Sequence, residues 1–367
     1  MRTINLRMVR FFSLLFVFYF FSAGSSRACT SVIISGKARA DGRPVMFKHR
    51  DADALNNRMQ WFKGEKYDFI GLVNAPSKGG EVWAGTNSAG FCIMNTATYD
   101  LKDDEVPASL MDKEGIVMFK ALGVCATVAD FEAFLDALPQ PWGVEANFGV
   151  TDAQGNCHYF EVNNHKKTDY DVSKEPGGYM VVTNFTRTGR PEDRVGVDRF
   201  KKACSIFSGM DIATAGHKEI FNGVSRSGRP INREISASAV VFEGVKAGSD
   251  PLNTVMWTIV GFPSTCVYVP LKVFGEDHIP SYMQASPENE GRSSLCDKAL
   301  VLKGIYGVDK GCVSECQDIE RLIDRSFAPA MGERAFDRLM RRINRRYTKM
   351  YLRKLPDSDS KKNRIAF

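Results

Sequence analysis

The 367-residue sequence predicts a layered α+β protein in which packed sheets are covered by helices. Strand-like segments are grouped on each side of a helical block at 115–138, which is the pattern expected of such layers. A chain of this length can bury a sizeable core. Its 44% hydrophobic and 25% charged residues are typical of soluble globular proteins.

The strands are predicted from apolar runs that are bounded by turn residues. The run TSVIISG and the run PVMFKHRD form a first pair, with Asp41-Gly42 as the turn between them. Three further runs extend this sheet: YDFIGLVN, EVWAGTN and GFCIMNTATYD. The segment ANFGVTDAQGNCHYFEVNN predicts a hairpin, and later strands are predicted for MVVTNFT, ISASAVVFEGV and TVMWTIVGFPSTCVYVPLKV.

Helical periodicity predicts the remaining elements. Within the block at 115–138, Thr127 and Asp130 resemble a capping box. The segment RPEDRVGVDRFKKACSIF predicts a helix with Pro191 in its first turn. Loops follow residue 275, and a basic helix is predicted over 333–355.

One domain is expected over residues 29–355, of which 271–355 form a C-terminal helical part. Residues 356–367 are predicted to be a disordered tail because they are short, polar and charged. No internal repeat divides the chain further.

Residues 1–28 have the three regions of a secretory signal peptide. Three arginines precede the apolar run FFSLLFVFYFF, which is too short to span a bilayer comfortably, and small residues follow it. Ser26 and Ala28 suit the positions that signal peptidase reads, so the predicted cut lies between Ala28 and Cys29. We therefore expect export to the periplasm or the extracellular medium, with no integral membrane segment in the mature chain.

The charge of the mature chain argues against a nucleic-acid partner. Residues 1–28 hold four arginines and no acidic residue, so their removal lowers the formal net charge from +6 to +2. A nearly neutral protein lacks the basic field that attracts nucleic acid.

Nine cysteines are present, and an odd number in an oxidising compartment allows four disulfides and one free thiol. Cys29 is the obvious candidate for the free thiol. Cys312 and Cys316 favour a local disulfide or two buried thiols over a metal site, because no histidine and no second cysteine pair lies near them. No metal and no organic cofactor is expected.

Cys29 itself has three interpretations: a lipid attachment point, a structural cysteine, or a nucleophile uncovered by removal of the leader. At a mature N-terminus the thiol would lie beside an α-amine with a pKa of ~7.7–8.0, which can accept the thiol proton. A lipid anchor is disfavoured because Ser26 stands where an aliphatic residue is expected, and because a strand begins directly after Cys29.

A nucleophilic cysteine needs a nearby cation, a group that holds the α-amine, and amides that stabilise an oxyanion. The segment HRDAD supplies Arg50 and Asp53 at the end of the strand that pairs with the Cys29 strand. Asn95 and Asn184 end two other strands. The alternative for Arg50 and Asp53 is a surface ion pair, which would contribute little stability.

These motifs carry a family resemblance. The segments CTSVIISG…HRDAD, TNSAGFCIMN, VVTN and VDRF resemble the N-terminal-nucleophile (Ntn) hydrolases of the choloylglycine hydrolase and penicillin V acylase group. They are also similar to the acyl-CoA:6-aminopenicillanic acid acyltransferase branch and to related dipeptidases. The resemblance covers roughly residues 29–271 and implies a four-layer αββα sandwich of two antiparallel sheets between helices.

The resemblance also implies a role for each site residue. Cys29 would be the nucleophile, and Asp53 would orient its α-amine. Asn95 and Asn184 would stabilise the oxyanion. The thiolate or a substrate carboxylate would be held by two arginines, Arg50 and Arg199.

Three of these assignments have alternatives. Asn95 could end a strand in a turn. Asn184 begins the glycosylation pattern Asn-Phe-Thr, which matters in a eukaryotic source. Arg194 is an alternative to Arg199. The aromatic pair Trp61-Phe62 would favour an apolar acyl group if it lined the cleft.

The expected activity is hydrolysis of a linear C–N amide bond in a small-molecule substrate, through an acyl-thioester on Cys29. An acyltransferase or a dipeptidase is the alternative within the resemblance, and a ligand-binding lipoprotein anchored at Cys29 is the alternative outside it. A homo-oligomer is compatible with the sequence.

Overall fold

A computed structural model describes residues 28–75, 77, 79–102 and 105–356. Apart from Ala28 and Pro356, the predicted leader and the predicted tail lie outside these residues. Both therefore stay predictions.

Thirteen strands are present in the described part of the chain. In chain order they are β1 (Thr30–Ile34), β2 (Val45–Asp51), β3 (Asn57–Phe62), β4 (Phe69–Asn74), β5 (Ala84–Asn87), β6 (Cys92–Ala97), β7 (Ala146–Thr151), β8 (Cys157–Val162), β9 (Lys167–Asp171), β10 (Tyr179–Val182), β11 (Ser236–Glu243), β12 (Val255–Ile259) and β13 (Val269–Leu271).

The strands form two antiparallel sheets. The six-stranded sheet has the order β10-β1-β2-β11-β12-β13, and the seven-stranded sheet has the order β3-β4-β5-β6-β7-β8-β9. The second sheet is a plain meander, whereas the first combines strands from both ends of the domain. As a result β1 lies in the interior of its sheet, between β2 and β10.

Seven α-helices accompany these sheets in the described residues. They are α1 (Glu114–Val124), α2 (Val128–Ala137), α3 (Val197–Ser208), α4 (His217–Ile220), α5 (Ser294–Lys310), α6 (Val313–Ser326) and α7 (Glu333–Lys354).

The helices cover the outer faces of the two sheets. Helix α1 packs on β5 and β6, while α3 packs on β1 and β10 and α4 packs on β11. Apolar side chains from both sheets, such as Val32 and Met94, share one buried cluster, and a second cluster lies under α1 and α2. The predicted αββα sandwich is confirmed.

Helices α5 to α7 pack beside the β12–β13 side of the first sheet. The ring of Trp257 in β12 contacts Phe327, which follows α6, with 5.2 Å between the ring centroids. The hydroxyl of Tyr347 in α7 donates to the backbone oxygen of Thr265 at 2.7 Å. The helical part predicted for 271–355 is therefore packed against the sandwich.

Three sequence predictions of elements were wrong in detail. The strands β4, β5 and β6 build the second sheet rather than extend the first. The block at 115–138 is two helices, and the capping box at Thr127 begins the second of them. The helix expected from Pro191 begins at Val197, because Gly196 directly before it has a φ of 83° that a helix cannot contain.

Two helices were missed where loops were expected. Gly304 and Gly307 weaken the helical signal of α5, and a kink interrupts the helix at Gly307, where φ is 72°. Helix α6 has a visible signal, since Cys316, Ile319, Glu320 and Ile323 are its buried residues and follow the spacing of one helix face. The short edge strands β3 and β9 were also missed.

Candidate active site

Strand register places Cys29 at the centre of the site. Thr30 pairs with His49 of β2, and Ser31 pairs with Val182 of β10. Continuing these two registers past the end of β1 brings Cys29 beside Arg50 and Asn184. The sequence predicted this grouping from strand ends, and the pairing supplies its physical cause.

The main chain of Cys29 is held on both sides. Its nitrogen donates to Oδ1 of Asn184 at 2.8 Å, and its carbonyl oxygen accepts from Nη1 of Arg199. Nη2 of Arg199 also donates to Oδ1 of Asn184 at 2.8 Å. Cys29 is only 6% exposed and Arg199 only 2%, so this triangle of polar groups is buried.

The orientation of the Asn184 amide follows from its partners. Its Nδ2 donates to the backbone oxygen of Ala97 at 2.6 Å. A guanidinium and a backbone nitrogen can only donate, and a carbonyl oxygen can only accept, so the amide oxygen must face Cys29. Asn184 therefore contacts the α-nitrogen, a contact that the sequence predicted for Asp53, and its amide nitrogen donates to Ala97. Its predicted role in stabilising the oxyanion stays a prediction.

Arg199 lies beside Cys29, as the sequence predicted. Its guanidinium donates to the carbonyl oxygen of Cys29 and to Oδ1 of Asn184, and its predicted role in holding the thiolate or a substrate carboxylate stays a prediction. The alternative candidate, Arg194, lies over the ring of Phe185 at 5.2 Å and donates to the oxygen of Thr186. The structure therefore brings Arg199, and not Arg194, into contact with Cys29.

Arg50 extends from β2 to the second sheet. Its Nη1 donates to Oδ1 of Asn57 at 2.7 Å, and its Nη2 donates to Oδ1 of Asn74 at 2.9 Å. Its guanidinium also lies 5.1 Å from the ring centre of Trp83. These contacts connect β2 with β3 and β4, and Arg50 also borders the cavity beside Cys29. Its predicted role in holding the thiolate or a substrate carboxylate stays a prediction.

Lys48 lies on the same face of β2 as Arg50, because side chains two residues apart along a strand share a face. Its Nζ donates to Oδ1 of Asn95 at 2.8 Å and to the backbone oxygen of Trp83 at 2.7 Å. The residue is 1% exposed. Lys48 was not among the residues predicted from the sequence, although a lysine directly after the apolar residues VMF, within a predicted strand, was a visible signal.

The environment of Lys48 alters its protonation. Burial and the neighbouring charge of Arg50 lower the pKa of Lys48, Cys29 and Glu114 act in the opposite direction, and the net result is a pKa of about 8. The Lys48 ammonium therefore interacts both with the charge of Cys29 and with the candidate oxyanion donor Asn95.

Asp53 lies at the mouth of the site. It is exposed and lines the same cavity as Cys29. Within the described part of the chain no hydrogen bond joins Asp53 to Cys29. Its predicted role in orienting the α-amine stays a prediction.

His49 and Asp51 lie on the opposite face of β2 from Lys48 and Arg50. Nε2 of His49 is 2.8 Å from Oγ of Ser236 and 3.3 Å from a carboxylate oxygen of Asp51. Burial raises the pKa of Asp51, but contacts with His49 and Arg233 outweigh it and hold the pKa below its usual value. These contacts hold β2 on the face opposite Lys48 and Arg50.

A cavity of about 360 Å³ opens beside Cys29. This volume lies at the lower end of the range for small-molecule sites. The cavity is bordered by the following residues: Cys29, Lys48, Arg50, Asp51, Ala52, Asp53, Trp83, Asn95, Ala97, Thr98, Tyr99, Met111, Asp112, Glu114 and Glu145. Neither Trp61 nor Phe62 borders it, so the sequence argument for an apolar acyl group does not hold.

All nine cysteines carry free thiols in this structure. Among the described residues, no group of three or more histidine, cysteine or acidic side chains is arranged to hold a metal ion. No helix in the described ranges is both long and apolar enough to cross a membrane.

The chain is similar to several solved structures. An N-acylethanolamine-hydrolyzing acid amidase ortholog from Caenorhabditis elegans is 15% identical, with a TM-score of 0.49, over 61% of this chain and 95% of that chain. A variant of the conjugated bile acid hydrolase from Clostridium perfringens is 11% identical, with a TM-score of 0.44, over 67% of this chain and 92% of that chain.

Penicillin V acylase from Agrobacterium tumefaciens is 14% identical, with a TM-score of 0.43, over 67% of this chain and 86% of that chain. No protein-family model matches the chain, and no curated protein matches it.

Proposed function

We propose that the protein is an exported cysteine Ntn amidohydrolase that cleaves a linear C–N amide bond in a small molecule. One observation carries this proposal: the residue directly after the predicted cut is buried beside a cavity, with its α-nitrogen held 2.8 Å from a buried amide oxygen. Removal of residues 1–28 would convert that nitrogen into a fixed α-amine.

The proposed reaction begins with proton transfer within Cys29. The α-amine accepts the thiol proton, and the thiolate attacks the substrate carbonyl carbon in the cavity. Asn184 fixes the amine through its oxygen, while Arg199 fixes the Cys29 carbonyl group. Because both sides of the residue are held, the amine stays within reach of the sulfur and of the leaving nitrogen.

The attack produces a tetrahedral oxyanion, which needs hydrogen-bond donors in place before the reaction. Asn95 is the candidate donor, because it borders the cavity and its amide oxygen already has a partner in Lys48. Collapse of the intermediate breaks the C–N bond as the amine of Cys29 returns the proton to the leaving group. Water then hydrolyses the acyl-thioester, and its replacement by another amine would make the enzyme an acyltransferase.

The burial of Cys29 also argues against a lipid anchor. A lipid-modified cysteine must place its acyl chains in a bilayer, and its backbone must reach the membrane surface. Cys29 is 6% exposed and its main chain is tied to Asn184 and Arg199. Export by signal-peptide removal is part of the proposal and rests on the sequence of residues 1–28.

The proposal is tested with the mature chain, beginning at Cys29, and a panel of N-acyl amides that differ in acyl length, charge and leaving amine. Released amine and acid are quantified separately, and transfer is detected by adding a second amine. The proposal is supported if the mature chain hydrolyses at least one of these amides and the Cys29→Ala variant does not. Equal turnover by Cys29→Ala would overturn it, and Cys204→Ala, a half-buried cysteine outside the cavity, is the matched control.

A further inference from the structure

We propose that Lys48 is a positioning residue that orients the Asn95 amide so that its N–H groups face the forming oxyanion. The inference rests on the proposed function and deepens it. The sequence motifs assign no role to Lys48.

The hydrogen bond between Lys48 and Asn95 has a defined direction. An ammonium group can only donate, so the atom of Asn95 that lies 2.8 Å from Nζ must be the amide oxygen. The other polar atom of the Asn95 amide group is then its nitrogen, the hydrogen-bond donor. Without a donor at this place, the amide could rotate by 180° and present its oxygen to the oxyanion, which would repel it.

The side chain of Lys48 is held in place. Its Nζ has a further fixed acceptor, the backbone oxygen of Trp83 at 2.7 Å, and the side chain is 1% exposed. Lys48 and Asn95 come from different sheets, since Lys48 belongs to β2 and Asn95 to β6. The hydrogen bond between them therefore connects the strand beside Cys29 to the strand that carries the donor.

A cation at the position of Lys48 can act in two ways. Lys48 also lies close enough to Cys29 for their charges to interact, so it could act by stabilising the thiolate. An effect through Asn95 is specific to reactions that form an oxyanion. An effect on the thiolate is common to every reaction of the sulfur.

Two probes distinguish these roles without knowledge of the natural substrate. p-Nitrophenyl acetate acylates a thiolate through a tetrahedral oxyanion and releases p-nitrophenolate. Iodoacetamide alkylates the same thiolate by direct displacement of iodide, with no oxyanion. Both rates are measured on the mature wild-type chain and on Lys48→Met, and the adduct on Cys29 is verified by peptide mass.

We expect Lys48→Met to lower the acylation rate by about 10²-fold relative to the alkylation rate, which is the size of effect expected for a lost oxyanion donor. Asn95→Ala should show a similar loss. The double variant should be no slower than Asn95→Ala, because the two residues act through one hydrogen bond. Lys48→Gln, whose amide can still donate to Asn95, should recover part of the acylation rate.

Lys272→Met is the matched control. Lys272 is a buried lysine whose Nζ also donates to an asparagine oxygen, that of Asn253 at 3.2 Å, and to a backbone carbonyl, but it lies outside the cavity. It should leave the ratio of the two rates unchanged. Should Lys48→Met fail to fold, Lys48→Gln compared with Lys48→Glu makes the same test, because a carboxylate accepts and would reverse the Asn95 amide.

Equal losses of acylation and alkylation, or losses that multiply in the double variant, would overturn the role of Lys48 in positioning Asn95 and leave the proposed function standing. A wild-type chain that is alkylated at Cys29 but never acylated there would overturn both.

Discussion

The amide of Asn184 connects three separate segments of the chain. Its oxygen accepts from Cys29 and from Arg199 at the start of α3, while its nitrogen donates to Ala97 at the end of β6. Asn184 is fully buried, so none of these bonds is exchanged with water. The position of the proposed catalytic amine therefore depends directly on one side chain that has a single orientation.

The first prediction follows from this role. Asn184→Ala should lower the rate of Cys29 acylation by about 10²-fold, because a mispositioned general base loses much of its effect. The rate is measured with p-nitrophenyl acetate, alongside the melting temperature. Asn232→Ala is the control, since Asn232 is also buried and bonded, with Nδ2 2.6 Å from Oγ of Ser264. An Asn184→Ala chain that is acylated at the wild-type rate would contradict the proposed role.

Gly196 provides a second prediction at the residue scale. It has a φ of 83°, and a Cβ atom there would overlap Nη2 of Arg199. Gly196→Ala should therefore displace Arg199 and reduce the acylation rate of Cys29 by at least about tenfold, since even small misplacements at a reacting group are costly.

The control for this variant is Gly248→Ala. Gly248 has the same φ of 83°, but a Cβ atom added there would meet no other atom within 4 Å. The variant therefore carries the backbone strain of about 1 kcal/mol without the clash. Both variants should lose similar stability from strain. Equal acylation rates in the two variants would show that Arg199 does not need its observed position.

The sequence predicted which residues belong to the site better than it predicted the hydrogen bonds between them. The motifs and strand ends identified Cys29, Arg50, Asn95, Asn184 and Arg199, and the structure brings all five together. Which donor meets which acceptor depends on side-chain directions and on the second sheet, and sequence spacing does not specify these. For the same reason Lys48 was missed, because its partners lie 35 and 47 residues away in the chain.

At the scale of elements, the alternation of side chains along β2 places two pairs of residues on opposite faces of the strand. Lys48 and Arg50 point towards the second sheet and the cavity, while His49 and Asp51 bond to groups around Ser236 and Arg233. A shift of one residue in the register of β2 would exchange the two sets. The register is fixed by pairing with both β1 and β11.

The elements with clear periodicity could be predicted, and those without it could not. Strands β1, β2, β7, β8 and β11 were found because apolar runs and turn residues bound them. The sequence did not show to which sheet each strand belongs, because strands that start a new meander and strands added to an existing sheet have the same local residue pattern. Helix α5 forms despite two internal glycines because its apolar residues are buried against the core.

A third prediction concerns the junction of α4, β11 and α6. His217 of α4 contacts Glu243 of β11 at 2.8 Å and Asp324 of α6 at 3.3 Å, and its ring stacks on Trp257. Burial lowers the pKa of His217, but the contacts with Asp324 and Glu243 outweigh it and raise the pKa to about 9. Burial raises the pKa of Glu243, but the contact with His217 outweighs it and lowers the pKa to about 2.

A raised histidine pKa stabilises the fold fully below about pH 6.5, its unfolded value, and this contribution is lost as the pH rises towards 9. The lowered pKa of Glu243 contributes above about pH 4.5 and is lost as the pH falls. His217→Gln should therefore reduce the free energy of unfolding by on the order of 3 kcal/mol more at pH 6 than at pH 9.5.

The measurement is urea unfolding of both chains at the two pH values. His165→Gln, a change at an exposed histidine outside this junction, is the control. A His217→Gln deficit that stays constant from pH 6 to pH 9.5 would show that the charged histidine does not stabilise the junction.

At the scale of the whole molecule, a buried ion pair joins the C-terminal helices to the sandwich. Nη2 and Nη1 of Arg226 donate to the two carboxylate oxygens of Glu320 in α6 at 2.7 and 2.9 Å. The side chains are 1% and 2% exposed. The backbone nitrogen of Tyr268 also donates to Glu320.

The fourth prediction tests this connection. Glu320→Ala should lower the free energy of unfolding by about 3–5 kcal/mol, because it leaves the Arg226 charge buried without its partner. Arg226→Met combined with Glu320→Leu should recover most of the loss, since both charges are removed together. The free energies are measured by urea unfolding.

Asp318→Ala, at an exposed position of the same helix, is the control for helix propensity. A double variant as unstable as Glu320→Ala would indicate that the pair provides more than mutual neutralisation of two buried charges. Acylation of Cys29 in the folded double variant should match the wild type, because the pair lies outside the cavity.

The central claim is that Cys29 becomes the first residue of the mature protein and acts as its nucleophile. The most direct measurement is the intact mass and N-terminal sequence of the exported protein, before and after treatment with a thiol-directed acylating probe. We predict an N-terminus at Cys29 and a single probe adduct on that residue. A lipid-modified Cys29, or an N-terminus elsewhere with no adduct on Cys29, would contradict the account.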